Sequence, residues 1–163
     1  MIQSRTHFSA SVLNDEIYVF GGRNEKGILA ASEKFSIVEN KWSQIEKLRV
    51  PRCCHAQITI GDKIYISGGY IQGKFWNFAL GEILTENFIG PINQLGAWNK
   101  TLKEYKKPAR YSSDILIYSG EENSYIESTI SLLQPRGWHK MVRIGENILI
   151  LGGCYQVKFY TTT

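Results

Sequence analysis

No apolar run in this chain of 163 residues approaches the roughly 20 needed to cross a bilayer as a helix. The amino-terminal stretch MIQSRTHFSASVL also lacks the apolar core of a secretory leader. Charge of one sign is not in large excess: 19 basic against 15 acidic residues leave +4, with Lys103, Lys106 and Lys107 as the one cluster. Such a surplus reads as a solvated face and gives no ground for a nucleic-acid or membrane partner. Cysteine is scarce, and Cys53, Cys54 and Cys154 form an odd set without the CxxC or Cys/His spacing that holds zinc. The thiols read as small apolar fillers in a reducing, cytoplasmic compartment, with no metal and no cofactor expected.

What the chain does have is a sentence written three times: IYVFGG at 17–22, IYISGG at 64–69 and ILILGG at 148–153. One apolar strand ending on two glycines is common, but three need a cause. An arginine stands sixteen residues before the first glycine each time: Arg5 to Gly21, Arg52 to Gly68 and Arg136 to Gly152. Between these anchors lie SASVL/NDE/IYVF, AQITI/GDK/IYIS and KMVRI/GEN/ILIL, each an alternating pair of stretches split by a polar turn. Period-2 patterning about an Asn-Asp or Gly-acidic turn predicts a β-hairpin.

A second hairpin follows the first glycine pair: SEKFS, the turn VEN, then KWSQI, with Phe35 seven residues before Trp42. The same spacing returns where Tyr118 precedes Tyr125, and Asn123 there matches Asn40. Four short antiparallel strands repeating at about 47 residues, the step from Gly21 to Gly68, are the mark of a β-propeller blade.

On these residues the sequence resembles kelch repeats. RTHFSASVLNDEIYVFGG and PRGWHKMVRIGENILILGG are most similar to the kelch domain of the kelch-like (BTB-kelch) adaptor proteins of animals. The resemblance implies an all-β fold: a partial kelch-type propeller of about three to four four-stranded antiparallel blades, with the ring not closed. The whole chain, 1–163, is expected to be kelch-repeat region, with a blade at 5–46 and a blade at 52–103 whose second half is irregular. Partial blades are expected at 112–128 and 136–163. In the irregular stretch, ALGEILTE and LGAWNKTL are candidates for the third and fourth strands of the second blade, and Trp98 for the tryptophan position. The alternative is a short helix in 78–88 or 99–107, where Leu, Glu and Lys favour one.

The repeated residues have architectural readings. Gly21, Gly22, Gly68, Gly69, Gly152 and Gly153 stand where a strand reverses sharply or a neighbour comes close. Trp42, Trp98 and Tyr125 are expected to pack between adjacent blades, and Arg5, Arg52 and Arg136 to pair between blades. His55 and His139 each follow a motif arginine by three residues, which argues for packing and a hydrogen bond. No Ser/His/Asp order, HExxH or GxxxxGK[ST] is present, so the chain is not expected to be an enzyme.

In kelch-like adaptors, the residues just after the motif arginine and just after the glycine pair line the partner-binding face. Carried over by position, the candidate partner-binding residues are His7, Arg23, Glu25, Cys54, Tyr70, Gln72, Trp138 and Gln156, with Thr6, Cys53, Gly137 and Cys154 beside them. The expected function is protein binding: substrate recognition for a cullin-type ubiquitin ligase, with an acidic peptide as the partner of Arg23. Actin binding is the alternative reading, and a kelch-type enzyme a third. An arc with open sheet edges is also expected to self-associate.

Overall fold

The computed structural model describes residues 1–72, 110–155 and 158–159. Every regular element among them is a β-strand. Two compact units are present, Met1–Ile71 together with Tyr111–Thr163, and Gln72–Arg110. Of the second, the described residues are the terminal strand residues Gln72 and Arg110.

The first blade holds β1 (Ser9–Leu13), β2 (Glu16–Phe20), β5 (Ser32–Ser36) and β6 (Lys41–Ile45) in that order across the sheet. Asn14 and Asp15 both take positive φ, 50° and 59°, the two-residue turn that matches strand twist and that the Asn-Asp pair predicts. Ser9 pairs with Phe20, Ile17 with Phe35 and Phe35 with Trp42, so the expected hairpins join into one sheet. A small hairpin, β3 (Arg23–Asn24) and β4 (Gly27–Ile28), rises between β2 and β5.

The second blade is β7 (Ala56–Ile60), β8 (Lys63–Ser67), β11 (Ile115–Ser119) and β12 (Ser124–Ile126). Between β8 and β11 come β9 (Tyr70–Gln72) and β10 (Arg110–Tyr111), which pair with each other. This corrects the expected boundaries. Residues 112–128 do not open a further blade, because Leu116 pairs with Ile66 and Tyr118 with Ile64, completing the sheet begun at Ala56. The third and fourth positions of that sheet are therefore taken by β11 and β12, not by ALGEILTE and LGAWNKTL, which lie with Trp98 outside the described residues. The arithmetic agrees: of the 37 residues by which the step from Gly68 to Gly152 exceeds that from Gly21 to Gly68, 36 fall between Gly69 and Ser112 and one falls after β11.

The third repeat shows its inner hairpin, β13 (Lys140–Ile144) with β14 (Asn147–Leu151), and the short pair β15 (Cys154–Tyr155) and β16 (Lys158–Phe159). The described residues thus make a propeller arc of two full blades and part of a third, not a closed ring. The first strands stand side by side, β7 between β1 and β13. Gln57 Nε2 crosses from β7 to Ser11 Oγ (2.8 Å) and Tyr18 O (3.2 Å), and Thr59 Oγ1 donates to Val12 O (2.8 Å).

The core lies where blades one and two meet. Leu13, Tyr18, Phe20 and Leu48 from the first close on Ile64, Ile66 and Tyr118 from the second. Phe20 meets Tyr118 edge-on at 5.2 Å and Tyr125 at 6.5 Å. Burying such a side chain contributes about 1.5–3 kcal/mol, so this seam is the main tie between the blades. Tyr125 therefore packs between blades as expected, whereas Trp42 is half-buried against Phe35 of its own blade at 5.2 Å.

The glycine pairs answer to both close approach and backbone angle. Gly21 and Gly68 take φ of 53° and 59°, and a Cβ at either would stand 2.3 Å from Arg52 O or 2.5 Å from Arg136 O, the carbonyl of the next repeat's arginine. The second glycines complete the joint, Gly22 N donating to Arg52 O and Gly69 N to Arg136 O, each at 2.8 Å. The side chains of Arg5 and Arg52, by contrast, bond within their own blade rather than between blades. Arg5, Arg52 and Arg136 donate from Nη1 to Gly21 O (2.7 Å), Gly68 O (2.9 Å) and Gly152 O (3.0 Å). Arg5 also pairs with buried Glu33, and Arg52 grips Asp114 with both Nη atoms at 3.2 and 2.9 Å. Each guanidinium thus holds the entry of its blade against the reversal after the second strand.

Candidate functional site

At one end of the first unit the residues after each arginine meet those after each glycine pair. Thr6 bridges Arg23, Cys53 bridges Tyr70 and Gly137 bridges Cys154, all antiparallel. The residue following each first member is non-glycine with positive φ: His7 at 54°, Cys54 at 57° and Trp138 at 55°. Left-handed backbone costs an L-residue about 1–2 kcal/mol, so its return at one position needs compensation. The compensation is a ladder between repeats: Cys54 N donates to His7 O and Trp138 N to Cys54 O, both at 2.8 Å.

The side chains here are mainly aromatic and neutral. Tyr111 is the hub, with Tyr70 edge-on at 5.5 Å, Trp138 at 6.0 Å and Tyr155 at 6.1 Å. A Cβ on Gly137 would press the Tyr111 ring at 2.9 Å, so glycine is what lets the ring come this close to the backbone. Burial pushes the Tyr70 phenol up to about 12 and the Tyr111 phenol higher still. Burial, and secondarily the charge of Arg23, lower the His7 imidazole, which leaves it neutral at neutral pH.

The thiols are equally quiet. A hydrogen bond to Cys53, followed by burial, raises the Cys54 thiol far above its ordinary range, and burial raises Cys154. A thiol held protonated is a poor nucleophile. Arg23 supplies the positive field, felt at His7, Cys54 and Tyr70. Among the described residues no group of three or more His, Cys, Asp and Glu could hold a metal ion.

Of the sequence candidates, His7, Arg23, Cys54, Tyr70 and Trp138 are brought to this end, with His7 and Trp138 exposed and Tyr70 buried. Glu25 is exposed in the turn between β3 and β4. Gln72 ends β9 and belongs to the second unit, and Gln156 lies outside the described residues. Sequence reasoning missed Tyr111 and Tyr155. Tyr111 stands at the repeat position of Ile28, since Ser112 N bonds Gly69 O as Leu29 N bonds Gly22 O; setting aside the 36 residues by which Gly69–Ser112 exceeds Gly22–Leu29 would have aligned it.

The two buried histidines differ. His139 shares a 2.7 Å hydrogen bond with Ser67 Oγ of the preceding blade, as expected. His55 has no partner on either ring nitrogen among the described residues, which corrects the expected bond. The reason is one substitution in the repeat: Phe20 stands where the second blade has Ser67.

The Kelch motif family model matches residues 4–49. Residues 4–49 thus carry a kelch motif, and the domain is similar to that of kelch-like proteins. Kelch-like protein 26 of Danio rerio is 41% identical over 70 residues, covering 43% of this chain and 12% of the relative. Kelch-like protein 36 of Rattus norvegicus is 27% identical over 153 residues, covering 94% and 19%. Beta-scruin of Limulus polyphemus is 36% identical over 78 residues, 47% of this chain and 8% of the relative. The chain therefore spans less than a fifth of the length of each. The solved structure titled "Structure of YjhT" superposes with a TM-score of 0.68 over 91% of this chain and 45% of that one, at 17% identity, a likeness of fold alone.

Proposed function

We propose that the chain is a protein-interaction module that recognises an acidic peptide segment at the end formed by His7, Arg23, Tyr70, Tyr111 and Trp138, as the substrate-recognition part of an adaptor for a cullin-type ubiquitin ligase. The observation that carries the reading is the cation Arg23 set beside neutral aromatic side chains, with Trp138 and His7 exposed. Aromatics and arginine are the residues that dominate recognition surfaces, and a carboxylate can take a guanidinium in two parallel hydrogen bonds. A Cys54 thiol held protonated and neutral phenols give the described residues of this end no activated nucleophile, which favours binding over catalysis. The adaptor role is supported by similarity to kelch-like proteins along most of the chain.

An array of acidic twelve-residue peptides is the test. Arg23→Ala is expected to weaken retained peptides by about 30-fold, the effect of losing a central arginine contact worth roughly 2 kcal/mol, with the urea midpoint unchanged. Peptides held equally by the parent chain and Arg23→Ala would overturn the site.

A further inference from the structure

All three cysteines of the chain sit at this same end, and two of them form a pair that the proposed peptide site does not use. Consecutive residues of an extended strand point to opposite faces, so Cys53 and Cys54 would normally be strangers. The left-handed turn at Cys54, φ 57°, swings the second side chain round to the first, and the sulfur atoms lie 3.8 Å apart. That separation is close to the edge of a tetrahedron drawn at the roughly 2.3 Å metal–sulfur distance typical of soft ions. A third donor is missing, since no cluster of three potential ligands exists among the described residues. The pair therefore suits a thiophilic centre that takes two adjacent sulfurs and supplies its remaining substituent itself.

We infer that Cys53 and Cys54 form a dithiol clamp for a trivalent arsenical. The reaction is a condensation without redox change. With phenylarsine oxide, two As–S bonds form, two S–H bonds break, and the oxygen leaves arsenic with both protons as water. One proton must depart from the Cys54 thiol, held protonated by its hydrogen bond to Cys53 and by burial, so capture is faster at higher pH. Cys54 is the entry point because Cys53 is wholly buried while Cys54 keeps 6% exposure. Cys154 has its own hydrogen-bond neighbour, the Tyr111 hydroxyl, 3.9 Å from its sulfur.

The purified, reduced chain is treated with one equivalent of phenylarsine oxide, followed by intact mass and thiol titration in denaturant. One adduct per chain and loss of two titratable thiols are expected, reversed by 2,3-dimercaptopropanol. Cys54→Ala is expected to lower retention at least tenfold and Cys154→Ala to leave it unchanged. Because Cys53→Ala leaves a hole in a fully buried position, peptide mapping of the parent adduct provides the second reading. Arsenic bridging Cys53 and Cys54 supports the clamp. An adduct that involves Cys154, survives in Cys54→Ala, or forms only in urea overturns it.

Discussion

Lowering the pH from 7 to 5 is expected to remove about 4 kcal/mol of folding stability, through two histidines buried at the blade seams. His55 is 6% exposed with neither nitrogen bonded among the described residues, and burial, then Arg52, then His139 lower its pKa from 6.5 to about 3. His139 is 2% exposed, and burial, then Arg136, then Lys140 bring it to about 4. Both folded values lie below the unfolded one, so the unfolded chain binds more protons at acid pH. The stability is present above pH 6.5 and is lost as pH falls through 6.5 toward the folded values. At pH 5 an unfolded histidine is almost fully charged and a buried one almost fully neutral, which at 1.36 kcal/mol per unit costs about 2 kcal/mol at each site. Against a total of about 5–15 kcal/mol, that is a large share. The assay is urea unfolding at half-unit pH steps, comparing the parent chain with His55→Gln/His139→Gln. The double variant is expected to start less stable and to lose less than about 1 kcal/mol over the same interval. Equal slopes in the two chains would refute the reasoning.

Two further outcomes follow from the joints. Gly21→Ala sets a Cβ 2.3 Å from Arg52 O, and Gly61→Ala meets nothing within 4 Å although φ is a similar 60°. The first is expected to cost about 3 kcal/mol or more and the second about 1 kcal/mol, the left-handed strain alone, in urea unfolding. For the ion pair of the second blade, Arg52→Met strands the Gly68 carbonyl and should cost about 3 kcal/mol. Asp114→Asn, on a side chain 45% exposed, should cost about 1 kcal/mol or less. A double-mutant cycle giving coupling well above 1 kcal/mol would show the surface partner to matter more than the buried carbonyl.

The parts of this fold readable from sequence were those written by local physics. Gly21, Gly68 and Gly152 sit at one offset from Arg5, Arg52 and Arg136 because each joint needs the same donor and the same empty space, and Asn14-Asp15 spells its own turn. What failed was long-range pairing. Tyr118 and Tyr125 showed the right spacing for an outer hairpin, yet nothing local says that the hairpin belongs to β8, 48 residues before β11 begins, rather than to a new blade. The arginine partners were equally hidden: Glu33 lies within β5 and Asp114 precedes β11, so the acids do not share a repeat position. In the candidate site, the loop positions followed from the repeat, whereas the Tyr111 hub emerged only once the 36-residue excess between Gly69 and Ser112 was set aside. His55 without a partner was legible in principle, since Phe20 replaces Ser67, but it required knowing which blade faces which.

Segment 73–109 enters and leaves through the short pair β9 and β10, and the repeat arithmetic closes around it as though it were not there. Loop-closure entropy grows by only about 0.6 kcal/mol per doubling of length, so this doorway tolerates a guest of almost any size. Tyr70 and Tyr111 are its two doorposts, and both belong to the aromatic cluster. A change in the length of chain between Tyr70 and Tyr111 therefore leaves the pairing of β8 with β11 as it stands.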